Sequence, residues 1–176
     1  MPLKSRFKNI PYKIKAPLLA KRNQVSYRFA IWSFLSSTIS IWSILIITNL
    51  SGHTLLIGSF GATSVLLFAV PDAPLSQPRN LIGGHLLSAM IAVLLVYLFG
   101  TNFFTIGLSV GLSILVMYLT HTLHPPGGAT ALIGVIGGVG VDFIFFPVMV
   151  GVFVLLVNAL VVNNLVHHRK YPVVWF

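Results

Sequence analysis

The chain has 176 residues, of which 56% are hydrophobic and only 7% are charged, and it contains no cysteine. A soluble domain usually has about a quarter of its residues charged, so this composition indicates an integral membrane protein. The net charge of +9 does not indicate nucleic-acid binding, because eight of the eleven Lys and Arg residues lie in the first 28 positions, beside the hydrophobic part. The lack of cysteine excludes disulfides, thiolate metal sites and redox pairs.

Residues 1–28 form a basic segment before the first apolar run. That run, roughly 29–50, is too long for the core of a signal peptide and has no small-residue cleavage site. We therefore expect the basic segment to be retained as a cytoplasmic juxtamembrane segment. It lies either on anionic lipid or in solvent, as an arm that only sets the topology, and the sequence leaves both alternatives open.

Six apolar segments follow, and they predict an all-α membrane protein with about six transmembrane segments. They are 29–50, 54–70, 81–99, 103–120, 129–140 and 143–167. A spanning helix needs about 20 residues, so the second and fifth segments are too short to cross as continuous helices. With both termini in the cytoplasm, Arg79, Arg169 and Lys170 all fall on the cytoplasmic side, as the positive-inside rule requires. Residues 169–176 are then a cytoplasmic tail.

A short motif recurs in this pattern. Gly61–Thr63 and Gly128–Thr130 both read Gly-Ala-Thr and lie 67 residues apart. The same offset carries the first and third apolar segments onto the fourth and sixth, so one repeat covers about 29–99 and the other about 103–167. Because a unit of three spans leaves the membrane on the side opposite to its entry, the pattern predicts an inverted 3+3 repeat, as in secondary transporters.

The two short segments are predicted to be half-helices that begin at the Gly-Ala-Thr motifs. Each follows helix-poor sequence, such as "HTLHPPGG" at 121–128. Helix N-termini carry unpaired N–H groups and partial positive charge, so two of them meeting near the midplane would bind a small anion. The predicted binding residues are Gly61, Ala62, Thr63, His124, Gly127, Gly128, Ala129 and Thr130.

The stretches "GSFGATSVLLFAVPDAPLSQPRNLIGGHLLSA" (58–89) and "HPPGGATAL" (124–132) resemble the signature regions of the HPP family of small integral membrane proteins. The resemblance is consistent over all of 29–168, the predicted transmembrane domain. Members in cyanobacteria and plastids are implicated in nitrite transport. The resemblance therefore implies a nitrite transporter in a bacterial inner membrane of the cyanobacterial type. Many members are described with four or five spans, fewer than the six predicted here.

Two side chains are candidates for roles beyond the backbone site. His124 can donate a hydrogen bond to the anion and, with the ordinary histidine pKa of about 6.5, bind a proton with it. Its alternative role is structural, bonded to a backbone carbonyl. Arg79 is the only Arg within 29–168 and is a candidate for gating or steering the anion, or else for fixing topology or binding lipid. The motif glycines have a structural alternative too, which is close helix packing.

The sequence favours a transporter over an enzyme or a metalloprotein. The chain has only two carboxylates, Asp72 and Asp142, and no nucleophile–base pair. His121 and His124 have no carboxylate or cysteine nearby to complete a metal site. We therefore predict no catalytic residue, metal or cofactor. The open alternatives to nitrite transport are transport of another small solute, such as nitrate or formate, and a non-transporting scaffold subunit. Six short spans bury little surface, so a homo-oligomer in the lipid bilayer is expected.

Overall fold

The computed structural model describes residues 26–51 and 57–176, and these form helices without strands. The six α-helices are α1 Tyr27–Ser51, α2 Gly58–Ala69, α3 Pro78–Phe99, α4 Phe103–Leu119, α5 Pro125–Ile136 and α6 Val150–Leu165. A 3-10 turn, Pro74–Ser76, precedes α3, and a π-helical segment, Ile144–Met149, leads into α6. Most of the predicted basic segment 1–28, and the start of the second predicted apolar segment, lie outside the described residues.

Three helical stretches in the described part of the chain are long and apolar enough to cross a membrane. They are Tyr27–Ile47, Pro78–Phe99 and Ile144–Leu165. The helices α2, α4 and α5 are apolar but shorter. The all-helical class predicted from the sequence is confirmed.

The helices α2 and α5 are short, as predicted, but they begin earlier than predicted. Each has 12 residues, and both their first and last residues lie 67 positions apart. At 1.5 Å per residue each is about 18 Å long, against about 30 Å for the hydrocarbon core. The prediction that they begin at Gly61 and Gly128 is wrong, because α2 begins at Gly58 and α5 at Pro125. Proline is tolerated in the first turn, where its missing N–H has no partner within the helix.

The short helices lie inside the bundle. The helix α5 packs against α3 and α4, α2 packs against α1 and α6, and α2 and α5 contact each other. Fully buried apolar side chains from α2, α3 and α6, including Phe60, Leu67, Leu81 and Leu155, form the main core beside them. The longer helices therefore surround the place where α2 and α5 meet.

Glycines in α3 and α6 allow the short helices to approach the long ones. A Cβ added at Gly84 in α3 would lie 2.4 Å from the Cβ of His124, just before α5. A Cβ added at Gly151 in α6 would lie 2.1 Å from the ring of Phe60, in the first turn of α2. A Cβ at Gly127 would meet the backbone carbonyl of Gly84 at 2.7 Å. The first turns of α5 and α2 therefore rest directly on the backbones of α3 and α6.

The chain after α6 folds back onto the C-terminal end of α2. The side chain of Arg169 is only 8% exposed, and its guanidinium donates a hydrogen bond of 3.1 Å to the carbonyl oxygen of Phe68. It also donates to Asn163 Oδ1 at 3.1 Å, Ser33 Oγ at 3.0 Å and the carbonyl oxygen of Phe29 at 2.9 Å. A cation is stabilised there because the last carbonyls of a helix carry partial negative charge.

Two further side-chain contacts lie near the C-terminal ends of the short helices. The hydroxyl of Tyr171 donates a hydrogen bond of 2.8 Å to the carbonyl oxygen of Ser76, and burial raises the pKa of this tyrosine. Burial lowers the pKa of Arg169, and the negative charge of the Asp72 carboxylate raises that pKa by a smaller amount. At the C-terminal end of α5, Thr101 Oγ1 donates to the carbonyl oxygen of Val135 at 2.7 Å. A neutral hydroxyl therefore binds the end of α5, whereas the end of α2 is bound by a cation in addition to the neutral side chains of Ser76 and Asn163.

Candidate functional site

The two motif threonines meet at a buried histidine of α3. Thr63 Oγ1, from α2, lies 2.8 Å from His85 Nε2. Thr130 Oγ1, from α5, lies 2.8 Å from His85 Nδ1 on the other side of the same ring. All three side chains have no exposed surface. The imidazole therefore joins the two Gly-Ala-Thr motifs at the centre of the bundle.

A second buried histidine extends this cluster. His124 Nε2 lies 3.1 Å from Thr63 Oγ1, and its Nδ1 lies 2.8 Å from the carbonyl oxygen of Leu75, in the 3-10 turn. The centroids of the rings of His85 and His124 are 5.0 Å apart. Thr63 therefore bridges two imidazoles that lie close to each other. We refer to Ser59, Thr63, His85, His124 and Thr130 as the central cluster.

Ser59 completes the cluster at its other end. Its Oγ lies 2.9 Å from Thr130 Oγ1, and the edge of the Phe60 ring contacts His85 with centroids 5.6 Å apart. Ser59, in the first turn of α2, thus pairs with Thr130, in the second turn of α5. Conversely, Thr63 lies later in α2, in its second turn, and pairs with His124, which lies earlier, just before α5. This order of contacts is that of antiparallel neighbours.

The N-terminal end of α5 offers fewer free N–H groups than the sequence predicts. Its first two residues, Pro125 and Pro126, have no N–H, and the N–H of Gly127 donates to the carbonyl oxygen of His124 at 2.8 Å. Of the backbone donors predicted in α5, the N–H of Gly127 is therefore already bonded within the protein, and anion binding by Gly128, Ala129 and Thr130 stays a prediction. The threonines of the motifs do not cap the helices either, since both helix starts lack a side-chain cap and Thr63 and Thr130 lie a turn further on.

The glycine and alanine positions of the motifs lie away from the central cluster. Gly61 and Ala62 are exposed, and Gly61 lines a groove of about 400 Å³ between α1 and α2. Ser64 lines the same groove, and its buried hydroxyl has no hydrogen-bond partner among the described residues. Gly128 and Ala129 line a separate apolar groove of about 470 Å³ between α4 and α5. The structure thus joins the two motifs through their threonines and separates them at their glycines.

Arg79 is not part of the central cluster. Its Nη2 donates a hydrogen bond of 2.9 Å to the carbonyl oxygen of Thr120, at the end of α4. Its neighbour Asn80 donates to the carbonyl oxygen of Leu123 at 2.8 Å. The start of α3 therefore holds the connection between α4 and α5, which carries His124 into the cluster.

Sequence reasoning missed two members of the cluster, His85 and Ser59. His85 lies in the middle of an apolar span, directly after Gly83 and Gly84. A polar ring in such a span, beside glycines that allow close approach, is the signal that could have indicated it. Ser59 carries no such signal, because serine is common in membrane helices and its role depends on how α5 lies beside α2. In the described part of the chain, no three metal-ligating side chains come together.

The fold and the cluster define a helical membrane protein with a polar centre built by two short helices. The chain belongs to the HPP transmembrane family, because the family profile described as "HPP, transmembrane region" matches residues 22–172. The resemblance seen in 58–89 and 124–132 is thereby confirmed.

Two transmembrane proteins of Dictyostelium discoideum are similar to this chain. One is 50% identical over 129 residues, which cover 69% of this chain and 45% of the relative. The other is 41% identical over 174 residues, which cover 92% of this chain and 54% of the relative. The chain thus spans about half the length of the curated relatives it matches. No solved structure matches it.

Proposed function

We propose that this chain is a transporter, not an enzyme, and that it carries a small monovalent anion, nitrite, across a membrane. The observation that carries the proposal is the convergence of Thr63 and Thr130, from two short helices, on the buried rings of His85 and His124. In secondary transporters, short or broken helices that meet near the bilayer midplane form the substrate site. Polar groups buried within a membrane domain commonly mark such a pathway.

The chemistry of the central cluster favours an anion. Its side chains offer hydroxyl and imidazole hydrogen-bond donors, and α2, α3 and α5 contain no Asp or Glu. Cation pathways usually present acidic side chains or rings of carbonyls, whereas an anion needs donors. Nitrite is a small anion with acceptor atoms only, which suits this set of donors. The choice of nitrite among such anions rests on the family resemblance.

The helix contacts support an inverted repeat, which would relate the two short helices. An offset of 67 residues carries α2 onto α5, α3 onto the Ile144–Leu165 stretch, and the end of α1 onto the end of α4. Under this relation, the contact between α3 and α5 corresponds to the contact between α6 and α2. Likewise, the contact between α1 and α2 corresponds to the contact between α4 and α5. Two grooves follow the same relation, one beside Gly61 and one beside Gly128. We infer that these grooves are the two approaches to the cluster, with Gly61 on the wall of one and Ala129 on the wall of the other.

One observation favours the alternative of a non-transporting scaffold. Each side chain of the central cluster already has a hydrogen-bond partner within the protein. A satisfied polar network of this kind can serve only to fix the packing of helices. Under the transport proposal, the anion replaces some of these contacts as it binds.

Uptake by proteoliposomes separates the two functions. We expect saturable nitrite uptake that exceeds uptake of chloride and nitrate. Thr63→Val should lower nitrite uptake about tenfold, because the bound anion or a histidine ring nitrogen loses one hydrogen bond. Thr63→Ser keeps the hydroxyl and should keep most of the uptake. Circular dichroism and size-exclusion profiles control for folding of each variant. Folded, well-reconstituted protein without saturable flux of any of the three anions would reject transport in favour of the scaffold.

We propose further that copies of the chain assemble within the bilayer, because α1 presents a largely exposed apolar surface. The cytoplasmic position of both termini and the bacterial inner membrane stay predictions from the sequence. Glycosylation-site or cysteine-accessibility mapping of the two ends in intact cells would test the topology.

A further inference from the structure

The hydrogen bonds of the central cluster can run in only one direction when both histidines are neutral. The carbonyl of Leu75 only accepts, so His124 Nδ1, at 2.8 Å, must carry the hydrogen that it donates. In a neutral ring the other nitrogen is then an acceptor, so His124 Nε2 accepts from the hydroxyl of Thr63 at 3.1 Å. The backbone of the 3-10 turn thereby fixes the tautomer of His124.

The same reasoning fixes the tautomer of His85. Thr63 has a single hydroxyl hydrogen, which it gives to His124, so its oxygen accepts from His85 Nε2–H at 2.8 Å. The Nδ1 of His85 is then bare and accepts the one hydroxyl hydrogen of Thr130 at 2.8 Å, in place of the bonds that this hydroxyl can donate to Ser59 Oγ or the Pro126 carbonyl. The two neutral histidines thus hold opposite tautomers, Nδ1–H in His124 and Nε2–H in His85.

The two bare ring nitrogens differ in how readily they can accept a proton. The bare Nε2 of His124 faces the hydroxyl hydrogen of Thr63. The only other acceptor for this hydrogen would be Nε2 of His85, and that nitrogen can accept it only if His85 first changes its tautomer. The bare Nδ1 of His85 faces the hydrogen of Thr130, which has two other acceptors in place. These are Ser59 Oγ at 2.9 Å and the carbonyl oxygen of Pro126 at 3.3 Å.

We propose that His85 is the proton-binding site of this protein and that Thr130 is the hydroxyl that turns to admit the proton. A proton from solvent adds to the Nδ1 lone pair of His85 and gives an imidazolium with N–H groups on both nitrogens. The hydroxyl hydrogen of Thr130 moves from Nδ1 to the Pro126 carbonyl or Ser59, and the Thr130 oxygen then accepts from Nδ1–H. Only hydrogens change place, and His124 keeps its Nδ1–H.

Among the residues that the structure describes, no fixed charge compensates a proton at this position. The elements packed against α3, namely α2, α4, α5, α6, the 3-10 turn and the π-helical segment, contain no Asp, Glu, Lys, Arg or His. The titratable ring that faces His85 is His124, from the connection between α4 and α5. Tyr118 of α4 and Tyr97 of α3 are exposed, and Arg79 of α3 is engaged at Thr120. An isolated buried charge is costly, so a monovalent anion and this proton stabilise each other.

Nitrogen-15 NMR of histidine-labelled full-length protein in lipid nanodiscs tests the proposal. The resonances of protonated and bare ring nitrogens are well separated, and His85→Asn and His124→Asn assign them by difference. At about pH 8 we expect His85 to be the Nε2–H form and His124 the Nδ1–H form. When the pH is lowered in the presence of nitrite, whose charge compensates the buried imidazolium, the bare Nδ1 resonance of His85 should be lost while that of His124 Nε2 persists.

A second pair of variants, at Thr130, tests the proposal without changing either histidine. Thr130→Val removes the oxygen that accepts from the charged ring, whereas Thr130→Ser keeps it. At the same acidic pH, the ratio of charged to neutral His85 should be about tenfold lower in the valine variant than in the serine variant, as for one hydrogen bond to a charged group. Loss of the bare His124 resonance first, an Nε2–H tautomer of His124, or equal titration in the two Thr130 variants would overturn the proposal.

Coupling of this proton to transport rests on the proposed function and has its own readout. Liposomes that contain a pH-sensitive dye report proton entry during nitrite uptake, which should fall together with uptake in Thr130→Val and not in Thr130→Ser. Titration of His85 without any nitrite flux would retain the proton site and reject nitrite transport. Nitrite flux without titration of His85 would retain transport and reject the proton site.

Discussion

The two short helices, α2 and α5, are alike in length and motif and differ in what surrounds them. Both have 12 residues, both start without a side-chain cap, and both carry Gly-Ala-Thr. In α5, Gly127 is enclosed against the backbone of Gly84, whereas Gly61 of α2 is exposed beside a groove. The two threonines occupy corresponding places, on the two nitrogens of His85. The shared motif therefore specifies the central hydroxyls, and the rest of each helix is fitted to its own neighbours.

The largest difference that we expect between the two helices concerns their C-terminal ends. Arg169 holds the carbonyl of Phe68 in α2 by a charged hydrogen bond, and Thr101 holds Val135 in α5 by a neutral one. Arg169→Met should destabilise the protein by about 3 kcal/mol and Thr101→Val by about 1 kcal/mol, because bonds to charged groups are the stronger ones. Thermal unfolding in detergent measures both. Equal losses would show that the two ends are held alike.

A smaller effect should separate Gly84 of α3, on which the start of α5 rests, from the exposed Gly61 of α2. Gly84→Ala places a Cβ 2.4 Å from that of His124, so the start of α5 must shift, at a cost of about 1–3 kcal/mol. Gly61→Ala meets no described atom within 4 Å and should be neutral or slightly stabilising, because alanine favours a helix over glycine. Unfolding temperatures of the pair test this, with Gly107→Ala, another open position, as control. A loss for Gly61→Ala as large as that for Gly84→Ala would contradict the comparison.

The smallest effect is expected at Arg79, which lies outside both short helices. If it steers the anion, Arg79→Gln should raise the nitrite concentration for half-maximal uptake by about threefold and leave the maximal rate unchanged. The difference should shrink as salt is added, because salt screens exposed charges. Asn80→Ala, which removes the neighbouring bond to Leu123 without removing charge, is the control. A salt-independent loss in both variants would show that Arg79 only holds the connection between α4 and α5.

Much of the fold follows from local sequence, but the surroundings of the site do not. Apolar run lengths predicted six helices, and the offset of Gly61–Thr63 and Gly128–Thr130 singled out the two that have the same length. The starting point of α5 was mispredicted, because Pro125 and Pro126 read equally well as a break before a helix and as its first turn. The role of His85 depends on α2 and α5 reaching α3 together. That is a contact between residues far apart in the chain, so no local pattern could indicate its partners.

The central claim, that α2 and α5 meet as antiparallel neighbours through Ser59 and Thr130, has a direct test. The chain has no native cysteine, so pairs can be introduced without background. The two hydroxyl oxygens lie 2.9 Å apart, so the sulfur atoms of cysteines at these two positions would lie close enough to react. Ser59→Cys with Thr130→Cys should cross-link in membranes under a permeant oxidant, whereas Gly61→Cys with Gly128→Cys, in separate grooves, should not. Cross-linking of the glycine pair but not of the hydroxyl pair would contradict this arrangement of the site.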